Sequence, residues 1–431
     1  MEHTMDDATE DARELNEARM HVRRIDASHD MDVAQRIWRE IGWNEPDDTR
    51  QEQSLATFLG GADAWVAELR GQPECIVATM PGTFMHLSQE IRMRAVMAVT
   101  TSHVARRLGL ATRLTAHALS HSAGDGELAS FLGMFDQGFY NRLGYGSGAY
   151  ERRISFDPAT LVVEGRPRIP HRLSSQQAVQ MHQNRLRRTR GHGACNIVPE
   201  AVTSGWTKFS KDGFGLGYYD DGGRLTHHLW GVARGENGPY RIDWLAYETT
   251  GQLLELLRLI KNLGDQVHSV SLHEPAWLHM QDLLDQPFRN SSLTEGGRME
   301  YRWDSFAGWQ LRILDIEKIM AVTSIPVKET ISFNLRLTDP IARYVGEDDG
   351  SWSGTAGDYI ITLGEESHAR VGYDESLPSM QASVNAFSRL WFGAASPCSL
   401  SVADEMEAPV DLLEKLTREV RIPKPSLDWL F

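Results

Sequence analysis

Residues 95–124 read AVMAVTTSHVARRLGLATRLTAHALSHSAG, and the change of period inside this stretch decides the fold. β-branched residues run to Val99, Thr100 and Thr101, a pattern that predicts a strand. Arg106-Arg107-Leu108-Gly109-Leu110-Ala111-Thr112 then opens a segment with Leu110, Leu114 and Ala118 at four-residue spacing, one face of a helix. A strand that turns into a helix through a glycine makes an anion site. The first-turn N–H groups lack partners, the helix dipole is positive there, and a residue without Cβ lets a diphosphate approach the backbone. Gly109 supplies that approach, and Arg106 and Arg107 add positive charge. Working towards the N-terminus, IRMRAVMAVTT (91–101), CIVATM (75–80) and AWVAEL (64–69) read as strands, the last two joined by a Gly-Gln-Pro turn. DMDVAQRIWREIGW (30–43) places Val33, Ile37 and Ile41 on one helical face with Asp30 or Asp32 as cap.

Towards the C-terminus, LASFLGMFDQGFYNRLGYGSGAY (128–150) predicts a strand, a short helix and a glycine-rich turn. Tyr140 falls in the short helix, with a phenol pKa near ~10 that keeps it protonated at neutral pH. Tyr145, in the LGYG turn, reads as packing. The chain ends PSLDWLF, apolar and aromatic where termini are commonly polar and frayed. A docked end would bury the Phe431 α-carboxylate, raise its pKa and make it a better base for an ammonium group.

The charges and prolines of ERRISFDPATLVVEGRPRIPHR (151–172) mark a boundary. Beyond it the same order recurs without the glycine motif: a polar helix (174–189), a hairpin around Asp220-Asp221-Gly222-Gly223, the strand YRIDWLAY, the helix GQLLELLRLIKNLG and the strand VHSVSLHE. From Tyr301 the order becomes strands WQLRIL, ETISFNLRL, YIITLG and HARVGY, then helices MQASVNAFSRLWFG and PVDLLEKLTREV, an α+β arrangement open to a lipid-carrier-like fold. The expected organisation is a charged leader at 1–28 without strand, then units at 29–155, 156–300 and 301–431.

The 431 residues, 41% hydrophobic and 24% charged, fit a folded chain of two or three domains. A net charge of −15 argues against a phosphate-backbone partner and would attract polycations. With no long apolar run and a polar N-terminus, the chain reads as cytoplasmic, without membrane partner. Cys75, Cys195 and Cys398 are far apart, so neither disulfide nor zinc site is expected. His227 and His228 alternate along a strand and cannot share a metal ion. The basic run 185–190 reads as a solvated helix end.

Three stretches, VMAVTTSHVARRLGLATRL, GFYNRLGYG and the terminal Phe, resemble the Eis-type (enhanced intracellular survival) N-acetyltransferases of the GNAT superfamily. Arg106, Gly109 and Ala111 fill that superfamily's [R/Q]-x-x-G-x-[G/A] pattern, and GFYNRLGYG resembles the segment closing its catalytic domains. WQLRILDIEKIMA and SVNAFSRLWFG extend the resemblance over nearly the whole chain. It implies a catalytic GNAT domain, a degenerate GNAT domain and a sterol-carrier-like C-terminal domain, assembled as a homohexamer. It further implies acetyl-CoA as co-substrate, with no metal, along Val99, Thr100 and Thr101 and on Arg107, Leu108, Gly109, Leu110, Ala111 and Thr112, with Phe135 and Asp136 on the neighbouring strand. Tyr140 would be proton donor, the Phe431 carboxylate proton acceptor, and a small amine such as an aminoglycoside the acceptor. Two departures bear on the amine: Leu430 stands where the family often has an acid, leaving Asp428 nearest, and Phe135-Asp136-Gln137-Gly138 is bulkier than the family's Ser-containing version. Other readings are a protein or peptide N-acyltransferase and a non-catalytic lipid carrier.

Overall fold

The computed structural model describes residues 21–287, 301–325, 327–346, 349–364 and 366–429. Three sheets organise them. The first contains β1 (His21–Arg24), β2 (Asp63–Leu69), β3 (Gln72–His86), β4 (Gln89–Thr101), β5 (Ala129–Gly133) and β6 (Gly146–Ser147). Strands β1 to β4 are antiparallel, and β5 runs parallel to β4. Helix α1 (Met31–Glu40) and helix α2 (Thr49–Gly60) cover one face through Ala34, Ile37, Leu55 and Leu59. The other face carries helix α3 (Leu110–Gly124), whose Leu110, Leu114 and Ala118 are buried as their spacing requires.

The second sheet repeats this plan. β7 (Glu151–Phe156), β8 (His171–Leu173), β10 (Gly213–Tyr219), β11 (Leu225–Ala233), β12 (Tyr240–Ala246), β13 (Val270–His273) and β14 (Arg302–Phe306) lie in the order β14-β7-β13-β12-β11-β10-β8. Again a parallel pair, β12 with β13, is bridged by a helix, α7 (Thr250–Asn262). Helices α5 (Ala178–Arg187) and α6 (Ala201–Phe209) complete the unit. The third sheet holds β16 (Ile331–Thr338), β17 (Gly357–Leu363), β18 (His368–Val371), β19 (Ser379–Ser383) and β20 (Met406–Glu407). It is accompanied by α8 (Ile316–Val322), α9 (Val384–Trp391), α10 (Pro397–Ala403) and α11 (Val410–Glu419). The α+β class and the tandem arrangement follow the sequence expectation.

The sheets cut across the boundaries expected from the sequence. The strand β15 (Trp309–Ile313), from the third unit, inserts between β5 and β6 of the first sheet, while β7 and β14 meet in the second. β9 (Cys195–Ile197) pairs with β3. The three units therefore share hydrogen-bonded ladders. Arg312 of β15 is fully buried and bonds Asp339 at 2.7 Å, which joins the first sheet to the third unit.

Three local expectations are corrected. Residues 21–24 of the expected leader form an edge strand, because Arg23 pairs with Asp30 and Glu68. Residues 1–20 lie outside the described chain. The helix expected at 380–393 begins as strand β19, since parallel pairing with β16 buries Met380 and Ala382, and the Ser383 side chain caps the helix only after that. The basic run is not a solvated end: Arg185 and Arg188 are buried against the C-terminal segment. Helices α2, α6, α8 and α10 add to the elements expected from the sequence.

Candidate active site

The site grows from a fault in a ladder. Ile76 faces Thr100 and Ala78 faces Met97, so Val77 alone stands opposite both Ala98 and Val99. This is a β-bulge, and Ala98 adopts φ +50° to make it. The extra residue releases part of β4 from regular pairing at Val99. Parallel pairing between β4 and β5 covers only Met93–Val96 with Ala129–Leu132. Beyond Val96 no ladder pairing joins the two strands among the described residues. Thr100 is buried with its hydroxyl unpartnered among the described residues, and Thr101 Oγ1 donates to Cys75 Sγ at 3.4 Å.

The chain leaves β4 and re-enters a helix through a second unusual backbone. Arg107 (φ +65°) and Gly109 (φ +77°) are both left-handed, with Leu108 between them. Gly109 occupies the N-cap of α3 without any side-chain cap, and a Cβ there would meet open space. The corresponding helix of the second sheet differs. At α7, Thr249 caps the helix by accepting from the Gln252 N–H. One helix start is closed by its own side chain and the other is left open, which is the arrangement an anion needs. Arg106 and Arg107 are exposed beside it, Leu110 and Thr112 are buried, and Leu108 and Ala111 are half-buried in the same cluster as Val99.

Strand β5 ends at Gly133, so Phe135 and Asp136 lie in the following loop rather than on the strand. Asp136 is the N-cap of helix α4 (Gln137–Asn141), accepting from Gly138 and Phe139 N–H. That capping duty, which the Asx geometry explains, occupies the side chain expected to meet the co-substrate. Phe135 is 74% exposed and packs edge-on against Tyr140. Tyr140 itself is 3% exposed, within the cluster that holds Val99, Leu108 and Ala111. Its hydroxyl has no hydrogen-bond partner among the described residues. Burial, then the neighbouring Tyr145 and Cys75, push its pKa above the usual phenol value, so it stays protonated. Tyr145 differs in that its hydroxyl is 2.7 Å from Ser130 Oγ.

The structure thus gathers Val99, Leu108, Ala111 and Tyr140 in one cluster, with Gly109 at its edge. Phe431 lies outside the described residues. The segment leading to it is docked: Trp429 is fully buried and Asp428 pairs with Arg188. Asp428, the acid nearest the terminus, is therefore occupied by this ion pair. Arg185 and Arg188 are the functional candidates that sequence reasoning missed, because a basic helix end carries no sign of what will cover it. A separate cavity of about 940 Å³ lies between the second sheet and the C-terminal segment, with Glu151, Asp243, Trp244, Glu274, Trp277 and Asp428 in its wall. Neither residues 99–112 nor Tyr140 line it. Among the described residues no group of three His, Cys, Asp or Glu could hold a metal ion, and no helix is long and apolar enough to cross a membrane. His227 and His228 face opposite ways, one to Glu255 and one to Asn184 and Trp244.

Comparison with known proteins agrees with this geometry. Residues 21–148 match the acetyltransferase (GNAT) domain family. A probable N-acyltransferase from Enterococcus faecalis superposes with a TM-score of 0.74 at 16% identity, covering 95% of this chain and 99% of its own. A GCN5-related N-acetyltransferase from Anabaena variabilis gives 0.74 at 15%, over 96% and 100%. Eis1 from Mycobacterium abscessus gives 0.71 at 13%, over 96% and 100%. At these identities the likeness is one of fold. Comparison with curated proteins finds no match.

Proposed function

We propose that this chain, whose residues 21–148 match the acetyltransferase (GNAT) domain family, transfers acetyl from acetyl-CoA to amino groups of small cationic amines such as aminoglycosides, as an Eis-type enzyme. The observation that carries the reading is the uncapped start of α3 at Gly109, set beside the bulge at Ala98 and Val99 and the hydroxyl of the buried Tyr140, which has no partner among the described residues.

In the proposed chemistry the α3 N-terminus, with Arg106 and Arg107, holds the diphosphate, and the Val99 N–H polarises the thioester carbonyl. The Phe431 α-carboxylate takes a proton from the ammonium form of the acceptor. The freed nitrogen forms the new C–N bond as the C–S bond breaks. Tyr140 donates its proton to the departing sulfur, and the second proton that the nitrogen sheds on becoming an amide restores the Tyr140 phenol. Phe135, exposed at the mouth, and Asp136, through its capping of α4, shape the entrance rather than bind by charge. The reading includes assembly as a homohexamer in the cytoplasm, which light scattering of the purified protein checks for its size.

The test is a thiol-release assay with acetyl-CoA against aminoglycosides, diamines and lysine-containing peptides. Amine-dependent CoA release with the first two supports the reading. Release with peptides alone points to a peptide N-acyltransferase, and binding without release points to a carrier.

A further inference from the structure

The C-terminal segment is held by the second unit, whose α7 start is capped by Thr249. Arg188 follows the last turn of α5 and is 6% exposed. Its Nε donates to Asp428 Oδ2 at 2.7 Å and its Nη2 to Asp428 Oδ1 at 2.5 Å, a two-pronged ion pair. The rest of its fork is also used. Nη1 donates to Arg185 O at 2.6 Å and Asn196 Oδ1 at 2.7 Å, and Nη2 to Cys195 O at 2.7 Å. Asn196 and Cys195 belong to β9, the strand that pairs with β3 of the catalytic sheet. Arg188 therefore ties the C-terminal segment, α5 and the catalytic sheet at one point. Five donors in a rigid plane suit such a junction, and a lysine could not reproduce it.

Two further contacts fix the same segment. The Arg185 guanidinium lies 3.7 Å from the Trp429 ring centroid and 4.1 Å from that of Trp244. At Gly193 (φ +94°) a Cβ would come within 2.2 Å of Ser426 N, so the segment rests directly on the backbone there, and Ser426 N–H donates to His192 O at 3.1 Å.

We propose that Arg188 is a positioning residue for acetyl transfer: by fixing Asp428, and with it Trp429, it sets where the terminal carboxylate works. This rests on the assignment of the Phe431 carboxylate as base. The degenerate unit then has a duty in the reaction, as the clamp for the C-terminus.

The experiment is a cycle of variants in the full chain. Asp428→Asn keeps the shape and removes the charge of a half-exposed partner, and Arg188→Lys keeps the charge and removes the fork. Each is made in the natural protein and in one carrying a short Gly-Ser extension after Phe431. In the natural protein each substitution should lower kcat by about 10- to 100-fold, the scale of a small misplacement of a reacting group, with acetyl-CoA affinity within about twofold. In the extended protein, where the carboxylate is already displaced, neither should lower kcat further. Unchanged kcat for Asp428→Asn overturns the proposal, and so does an equal fractional loss in both backgrounds, the mark of a general structural effect. An extension that costs nothing instead overturns the carboxylate base, whatever the substitutions do.

Discussion

The hydroxyls of Tyr145 and Ser130 meet at 2.7 Å in the interior of the first unit, and Ser130 Oγ also reaches Arg94 O at 2.9 Å. Tyr145 is thereby committed to the fold, while Tyr140, 6.1 Å away between ring centroids, has a hydroxyl without partner among the described residues. The two tyrosines of GFYNRLGYG are separated by their hydrogen bonds.

Tyr140→Phe should accordingly lower kcat by roughly 10²–10⁴ with little change in acetyl-CoA affinity, the loss expected on deleting a general acid. Tyr145→Phe should cost about 1 kcal/mol of stability, one buried hydrogen bond, and leave kcat within a few-fold. Steady-state kinetics and urea unfolding of both variants read this out. The reverse pattern would exchange their roles.

Burial raises the Glu151 carboxyl from 4.5 to about 7, against the smaller opposing pulls of Arg153 and the Gly308 backbone. The folded state then holds a proton that the unfolded state has released, so stability falls as pH rises from about 4.5 to 7 and levels above that. Across that window the loss amounts to about 3 kcal/mol, the free energy of keeping one proton bound while the solution pH climbs past it. Glu151→Gln should flatten this part of the profile and be the more stable protein above pH 7, as urea midpoints across the pH range would reveal.

Much of the fold was legible because its signals are local. The period switch at residues 95–124, the hairpin at 220–223 and the glycine before α3 all appear in the structure. What was not legible depends on partners distant in sequence. β15 joins the first sheet and β7 the second across the boundaries the sequence suggested, and nothing in WQLRIL or ERRISF says which sheet takes them. The bulge at Ala98 is a property of the register between β3 and β4, which alternation alone does not fix. The family pattern puts Phe135 and Asp136 on a strand because it carries position without the strand's end. Arg185 and Arg188 look solvated in sequence because Trp429 and Asp428 lie some 240 residues away.

Arg312 and Asp339 are both fully buried, and Asp339 also accepts from the N–H groups of Ile341 and Thr355. Removing one partner strands a buried charge, so Asp339→Ala should destabilise the protein by about 3–5 kcal/mol. Arg312→Met combined with Asp339→Leu should recover part of that, because neither charge then remains. Calorimetric unfolding of the three proteins gives the comparison.

The proposed function puts acetyl-CoA at the open start of α3, and titration calorimetry of acetyl-CoA into the protein and into Gly109→Glu is the direct test of that proposal. A glutamate there adds a side chain and a negative charge where the diphosphate is placed, in a position with free space and φ +77°. Measurable binding to the natural protein and none to Gly109→Glu is expected, with the variant still folded by circular dichroism. Equal affinity in a folded variant would contradict the assignment and remove residues 106–112 from the acetyl-CoA site.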